Sequence, residues 1–114
     1  MADALAAHAA KRDSLVEALR QGAGPVALAK ETSNLFRDRE AAPRRRLDVR
    51  ALNQVLEAGN GWVDAEGMKT YEDLTAACLA KGVMPAVVPQ LKTITLGGAV
   101  AGVGIESSSH RHGL

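Results

Sequence analysis

One cysteine, Cys78, occurs in 114 residues. No internal disulfide can form, which excludes a small secreted scaffold held by cross-links. Apolar neighbours at helical spacing around Cys78 predict a buried small side chain rather than a reactive thiol. Aromatics are scarce: Phe36, Trp62 and Tyr71 are the whole set. No stacking platform accompanies the basic run Arg44-Arg45-Arg46, so that run reads as a solvated loop and not a nucleic-acid patch. The net charge of +1 gives no general pull toward nucleic acid or an anionic membrane. No apolar run reaches the ~18 residues of a membrane span, so no membrane segment is expected. The first residues lack a basic-then-apolar leader, with Asp3 early among alanines, and a cytoplasmic protein is expected. His110 and His112 lie close together, but His8 and Cys78 are far from them in sequence, so no metal site is expected.

What is present reads in order as an α+β chain with mixed strand pairing. Residues 2–21 are alanine-rich, with Leu5, Ala9, Leu15, Val16 and Leu19 spaced for one face of a surface helix. Asp3 suits its start, Arg20 its last turn and Gly22 its stop. Gly24-Pro25 is a turn, and Val26 to Ala29 reads as a short strand. The polar run Lys30-Glu31-Thr32-Ser33-Asn34 follows. It fits a plain connection, or a phosphate-contacting loop in which Lys30 and backbone amides face an anion. Asp38 to Arg46 reads as an exposed charged loop, and Leu47 to Val49 as a resumed strand. Ala51 to Leu56 fits either one helical turn or a strand edge. Gly59-Asn60-Gly61 predicts a hairpin, and Trp62 to Gly67 alternates like a half-buried strand. Thr70 and Asp73 predict a capped helix, with Leu74, Ala77, Cys78 and Val83 on its buried side and Gly82 at its end. Pro85 and Pro89 bar residues 84–89 from a central strand, so an extended run is expected.

The run from Thr93 to His110 draws the most attention. Thr95 and Leu96 fit a strand. Gly97, Gly98, Gly102 and Gly104 then put four glycines in eight residues, and Ser107, Ser108 and Ser109 follow. Bare backbone admits a large ligand close to the main chain, and successive amides can cradle an anion. Serine hydroxyls add donors for phosphate oxygens. The glycine spacing does not match the dinucleotide fingerprint, and no Gly-Lys-Ser/Thr ending of a phosphate loop is present. Ser107, His110 and Glu106 contain the residue types of a hydrolytic triad, but no strand–Ser–helix elbow surrounds them. From the residues alone the stretch is a close-approach loop suited to an anion.

Val88-Pro89-Gln90-Leu91 through Leu114 resembles the flavin-binding segment of FAD-dependent oxidoreductases of the vanillyl-alcohol-oxidase (p-cresol-methylhydroxylase) type. The Gly104-Ile105-Glu106-Ser107-Ser108-Ser109 portion is most similar to the branch that contains the sterol Δ24-reductases and their bacterial relatives. Leu47 to Leu56, with its Leu-Asn-x-Val-Leu segment, resembles the strand that follows the family's first flavin loop. Trp62 to Gly67 is similar to the next strand, Thr70 to Gly82 to the helix, and Met84-Pro85 to the approach to the second loop. Lys30 to Leu35 falls where the family places its first diphosphate loop, although the glycines common there in relatives are absent.

The resemblance implies residues 1–22 as an N-terminal helix and 23–114 as part of an FAD-binding domain. It implies FAD contacts at Lys30, Thr32, Ser33 and Asn34, at Thr95, Leu96, Gly97 and Gly98, at Gly102, Val103, Gly104 and Ile105, and at Ser107 and Ser108. Residues 30–35 hold no His or Cys, so non-covalent FAD is expected. Family members run several hundred residues, and their substrate-binding cap and most substrate contacts follow the region matched here. The resemblance therefore implies a truncated N-terminal part of a flavin oxidoreductase, with no catalytic residue of its own. Its small-molecule substrate would be bound by a cap outside this chain. The alternative is a stand-alone nucleotide-binding module, completed by a partner chain or by self-association through an open sheet edge.

Overall fold

A computed structural model describes residues 2–30 and 45–113. The expectations for Thr32, Ser33 and Asn34, and for the loop up to Arg44, lie outside the described residues. The element order is α1 (Ala2–Arg20), β1 (Val26–Ala29), β2 (Arg45–Asp48), β3 (Val55–Gly59), β4 (Trp62–Ala65), α2 (Tyr71–Leu79), α3 (Leu96–Ala101) and α4 (Ser109–His112). β1 and β2 pair in parallel, Val26 with Arg45 through Ala29 with Asp48. β3 and β4 form an antiparallel hairpin. The chain is thus α+β with mixed pairing.

The hairpin forms where the turn residues place it. Gly61 takes φ +83° between the strands, a conformation that glycine reaches without steric cost. A register shift between Val55 and Glu57 leaves Leu56 opposite no partner, and Leu56 is buried. Val63 and Ala65 turn inward, while Trp62 and Asp64 face out. The Trp62 indole folds over Gly59, where a Cβ would stand 2.4 Å from the ring.

α2 begins as its sequence predicts. The Thr70 hydroxyl accepts from the Asp73 amide at 3.3 Å, and Gly82 follows the helix at φ +75°. Tyr71, Leu74 and the free thiol of Cys78 form the buried centre. Val55, Val63, Ala65, Val88, Ile94, Leu96 and Ala99 pack around it. Val83, expected on this face, is instead exposed, because the helix has already ended at Leu79.

α1 departs from its apolar stripe. Leu5, Val16 and Leu19 are exposed, and no residue of the helix is buried. The half-buried positions are Ala4, His8, Ala9, Lys11 and Leu15. The face against the body therefore carries two basic side chains, drawn in by a carboxylate described below. The basic run also differs from a solvated loop at its end, since Arg45 and Arg46 open β2. Arg45 donates to the Ala18 carbonyl at 2.9 Å and the Leu19 carbonyl at 3.3 Å. It thereby caps the last turn of α1, where carbonyls lack helical partners. A Cβ on Gly22 would meet this guanidinium at 2.6 Å, so the glycine both ends the helix and makes room for its cap.

Candidate functional site

The glycine-rich stretch is a short helix rather than a strand running into a loop. Thr95 makes a single bridge with Thr70 and then turns into α3. Its hydroxyl accepts from the Gly98 amide at 3.1 Å. The Leu96 amide donates to the Lys69 carbonyl at 2.9 Å and the Gly97 amide to the Gly67 carbonyl at 2.8 Å. Two glycines should weaken a helix by about 1 kcal/mol each relative to alanine. Here the first-turn amides find acceptors in the Lys69 and Gly67 carbonyls and the Thr95 hydroxyl, and Leu96 and Ala99 sit against the core. Tertiary docking outweighs propensity.

The helix ends in a Schellman arrangement. The Gly104 amide donates to the Ala99 carbonyl at 2.8 Å, and the Val103 amide to the Val100 carbonyl at 3.5 Å. The residue in the left-handed position of this motif is Val103, at φ +53°. A β-branched side chain there is strained. Val100, Val103 and Ile105 are all exposed, so this turn presents three apolar side chains to solvent.

Beyond it, Glu106 and the serines fasten the stretch to residues 86–90. The Glu106 carboxylate accepts from the Gln90 amide at 3.1 Å, and the Ser109 hydroxyl accepts from the Glu106 amide at 2.8 Å. The Ser108 hydroxyl donates to the Ala86 carbonyl at 3.2 Å. Ser107 is exposed, and its carbonyl accepts from Nδ1 of His110 at 3.0 Å. Among the described residues, no hydrogen bond engages the amides of Ile105, Ser107 or Ser108. Open donors thus follow Gly104, while those of Leu96, Gly97 and Gly98 are taken. No hydrogen bonds join Ser107, His110 and Glu106 side chain to side chain in the manner of a triad. Among the described residues, no cluster of three or more His, Cys, Asp or Glu could hold a metal ion.

Lys30 belongs to a second place. With Ala29, Arg46 and Arg50 it lines an open cleft of about 400 Å³ at the ends of the parallel strands β1 and β2. Ligands favour the carboxyl ends of parallel strands, where loops diverge. Arg46 donates to the Leu28 carbonyl at 3.5 Å. Asp48 accepts from the backbone and side chain of Arg50, at 2.8–3.1 Å. Those side-chain hydrogen bonds, helped by the backbone one, lower the Asp48 carboxyl to about 2, so it stays ionised beside the cleft. Among the described residues, Lys30, Arg46 and Arg50 bring basic side chains to the cleft, with Arg50 engaged by Asp48, a setting suited to a phosphate group. Sequence reading singled out Lys30 but not Arg46 or Arg50. The parallel pairing of distant strands brings them together, and no local pattern marks it.

One further group escaped sequence reading. Glu66, just past β4, is buried, with its side chain fully covered. Its Oε1 accepts from Lys11 Nζ at 2.8 Å and from the Gln54 amide at 3.0 Å. Its Oε2 accepts from Nδ1 of His8 at 2.7 Å. A carboxylate only accepts, so Nδ1 carries the proton. Burial pushes the Glu66 carboxyl up, but the hydrogen bonds from Lys11, His8 and the Gln54 amide outweigh it and hold it below the usual glutamate range. Alternation along β4 gave Glu66 no distinct signal from any other polar strand residue.

Two curated oxidoreductases share local similarity with this chain. It is 42% identical over 52 residues to the human Delta(24)-sterol reductase, a stretch covering 46% of this chain and 10% of the reductase. It is 33% identical over 58 residues to cytokinin dehydrogenase 1 of Oryza sativa subsp. japonica, covering 51% of this chain and 11% of that enzyme. The chain thus spans about a tenth of the length of the curated relatives it matches. No family model matches. No solved structure matches either.

Proposed function

We propose that this chain contributes an FAD-binding region of a flavin-dependent oxidoreductase, with the FAD held non-covalently. The observation that carries the reading is the local identity to a reductase and a dehydrogenase. In this reading Lys30 and Arg46 donate to phosphate oxygens at the cleft beyond β1 and β2. The stretch from Gly102 to Ser108 offers the open amides of Ile105, Ser107 and Ser108, and the Ser107 hydroxyl as a further donor. Thr95, Leu96, Gly97 and Gly98 serve by placing α3 beneath that stretch, since the amides of Leu96, Gly97 and Gly98 are turned inward and the bare faces of the two glycines are filled by the Gly67 carbonyl and the Thr95 hydroxyl. Val103 and Ile105 give an apolar surface for a flat ring system. When bound, FAD would supply hydride transfer to or from a substrate carbon. The substrate-bearing part of such an enzyme lies outside this chain in the proposal.

A second reading rests on the sheets. Among the described residues each has two strands, and an isolated two-stranded sheet is marginal in water. Strands from a partner chain would complete it, making this a nucleotide-binding module without activity of its own.

The test is purification in the presence of FAD. A yellow protein whose melting temperature rises with FAD, and which releases all its flavin on acid precipitation, is the expected result. A colourless protein with no FAD-dependent change in melting would overturn the binding reading. Flavin that stays with the acid precipitate would overturn non-covalent attachment.

A further inference from the structure

The sole buried charged side chain among the described residues, Glu66, lies one residue from Gly67. Its neighbours arrange into a continuous chain of contacts. From α1, Lys11 and His8 grip both carboxylate oxygens. From the segment before β3, the Gln54 amide donates to the carboxylate, and the Gln54 carbonyl accepts from the Glu66 amide at 2.8 Å. Residue 66 is thereby held from side chain and backbone at once. The next carbonyl along, that of Gly67, accepts from the Gly97 amide at 2.8 Å. The Glu66 carbonyl itself accepts from the Lys69 amide at 3.0 Å, and the Lys69 carbonyl accepts from the Leu96 amide at 2.9 Å. Both backbone contacts that seat the start of α3 thus come from the turn that Glu66 opens.

A bare glycine at 67 has little to hold it in one conformation by itself. The Met68 amide donates to the Leu52 carbonyl at 2.8 Å, and an ionised carboxylate bound by two basic side chains and an amide adds a second restraint, because removing any partner leaves buried charge less compensated. We propose that Glu66, clamped by His8 and Lys11 of α1, is a positioning residue that fixes the 67–69 turn and, through it, the seat of the glycine-rich helix α3. The N-terminal helix, with no buried residue of its own, then belongs to the ligand site as its brace. The consequence for binding rests on the FAD reading above, while the mechanical coupling stands apart from it.

Amide hydrogen exchange on the full chain separates the two. In Lys11→Met the Gly97 and Leu96 amides should exchange roughly tenfold faster, the scale of one weakened charge-assisted hydrogen bond. The Ala80 amide at the C-cap of α2, which donates to the Ala76 carbonyl, should not change, and Lys11→Arg should restore protection. His8→Ala should act in the same direction, so the test does not depend on Glu66→Gln remaining folded. Unchanged exchange at Gly97 in both variants would overturn the proposal, as would equal acceleration at Ala80, which reports global destabilisation only. FAD titration of the same proteins should show weaker binding in Lys11→Met and recovery in Lys11→Arg. If the unsubstituted chain binds no FAD, the flavin reading fails and the exchange data still decide the role of Glu66.

Discussion

Gly97 donates its amide to the Gly67 carbonyl at 2.8 Å, and a Cβ on Gly97 would stand 3.0 Å from that same oxygen. The reverse is not true: a Cβ on Gly67 would meet Gly97 at an ordinary 3.7 Å. One glycine is required by its neighbour, and the other is not.

Gly97→Ala should therefore destabilise the protein by about 1 kcal/mol. Overpacking against backbone costs ~1–3 kcal/mol, offset by ~1 kcal/mol of gained helix propensity. Gly67→Ala should stay within ~0.5 kcal/mol of the unsubstituted protein. Urea unfolding midpoints of the two variants check the asymmetry, and equal losses would count against the close approach.

Thr95 tests the cap. Its hydroxyl holds the Gly98 amide. Thr95→Ala should cost about 1 kcal/mol, and Thr95→Ser should recover most of it. Thermal unfolding of both proteins is sufficient, with a full loss in the serine variant pointing to the methyl group instead.

Val103 predicts a gain. At φ +53° and with its side chain exposed, it carries left-handed strain without compensating burial. Val103→Gly should raise stability by up to about 1 kcal/mol, the relieved strain less the added freedom of the unfolded chain. A lower melting temperature in this variant would contradict the strained turn.

Glu66 predicts the acid limb of stability. Its carboxyl sits below the usual range in the folded protein and near ~4.3 when unfolded. The unfolded chain thus binds the proton more readily. The contribution is complete above the unfolded value and is lost as pH falls from there through the folded one. Glu66→Gln should be less stable than the unsubstituted protein at neutral pH, with the gap narrowing below about pH 4. Chemical unfolding from pH 7 to pH 3 measures it. Asp48 is also lowered, to about 2, but it is fully exposed, so its share should fade with added salt while that of Glu66 persists.

Legibility followed the reach of the interaction. The hairpin at Gly59-Asn60-Gly61, the Thr70 cap and the buried Cys78 all depend on residues a few positions apart, and each was readable from the chain. The candidate site was readable as a place but not as a shape. Gly97 and Gly98 suggested an open loop, yet their amides are occupied by Gly67 and Thr95. Lys30 stood out for its setting, whereas Arg46 and Arg50 reached the cleft through a parallel strand pairing that local pattern does not encode.

By itself the sequence determined the α+β character, the turns, the caps and the stretch of bare backbone, because these follow from side-chain size, φ preference and short-range hydrogen bonds. Only the tertiary structure decided that the bare stretch is helical, that its strain falls on Val103, and that α1 docks through charge. The physical reason lies in separation along the chain. Glu66 meets Lys11 across 55 residues and His8 across 58. A carboxylate that far from its partners looks like any surface glutamate until folding removes the water around it. Those same contacts fix the turn at Gly67, and with it the seat on which the glycine-rich helix rests.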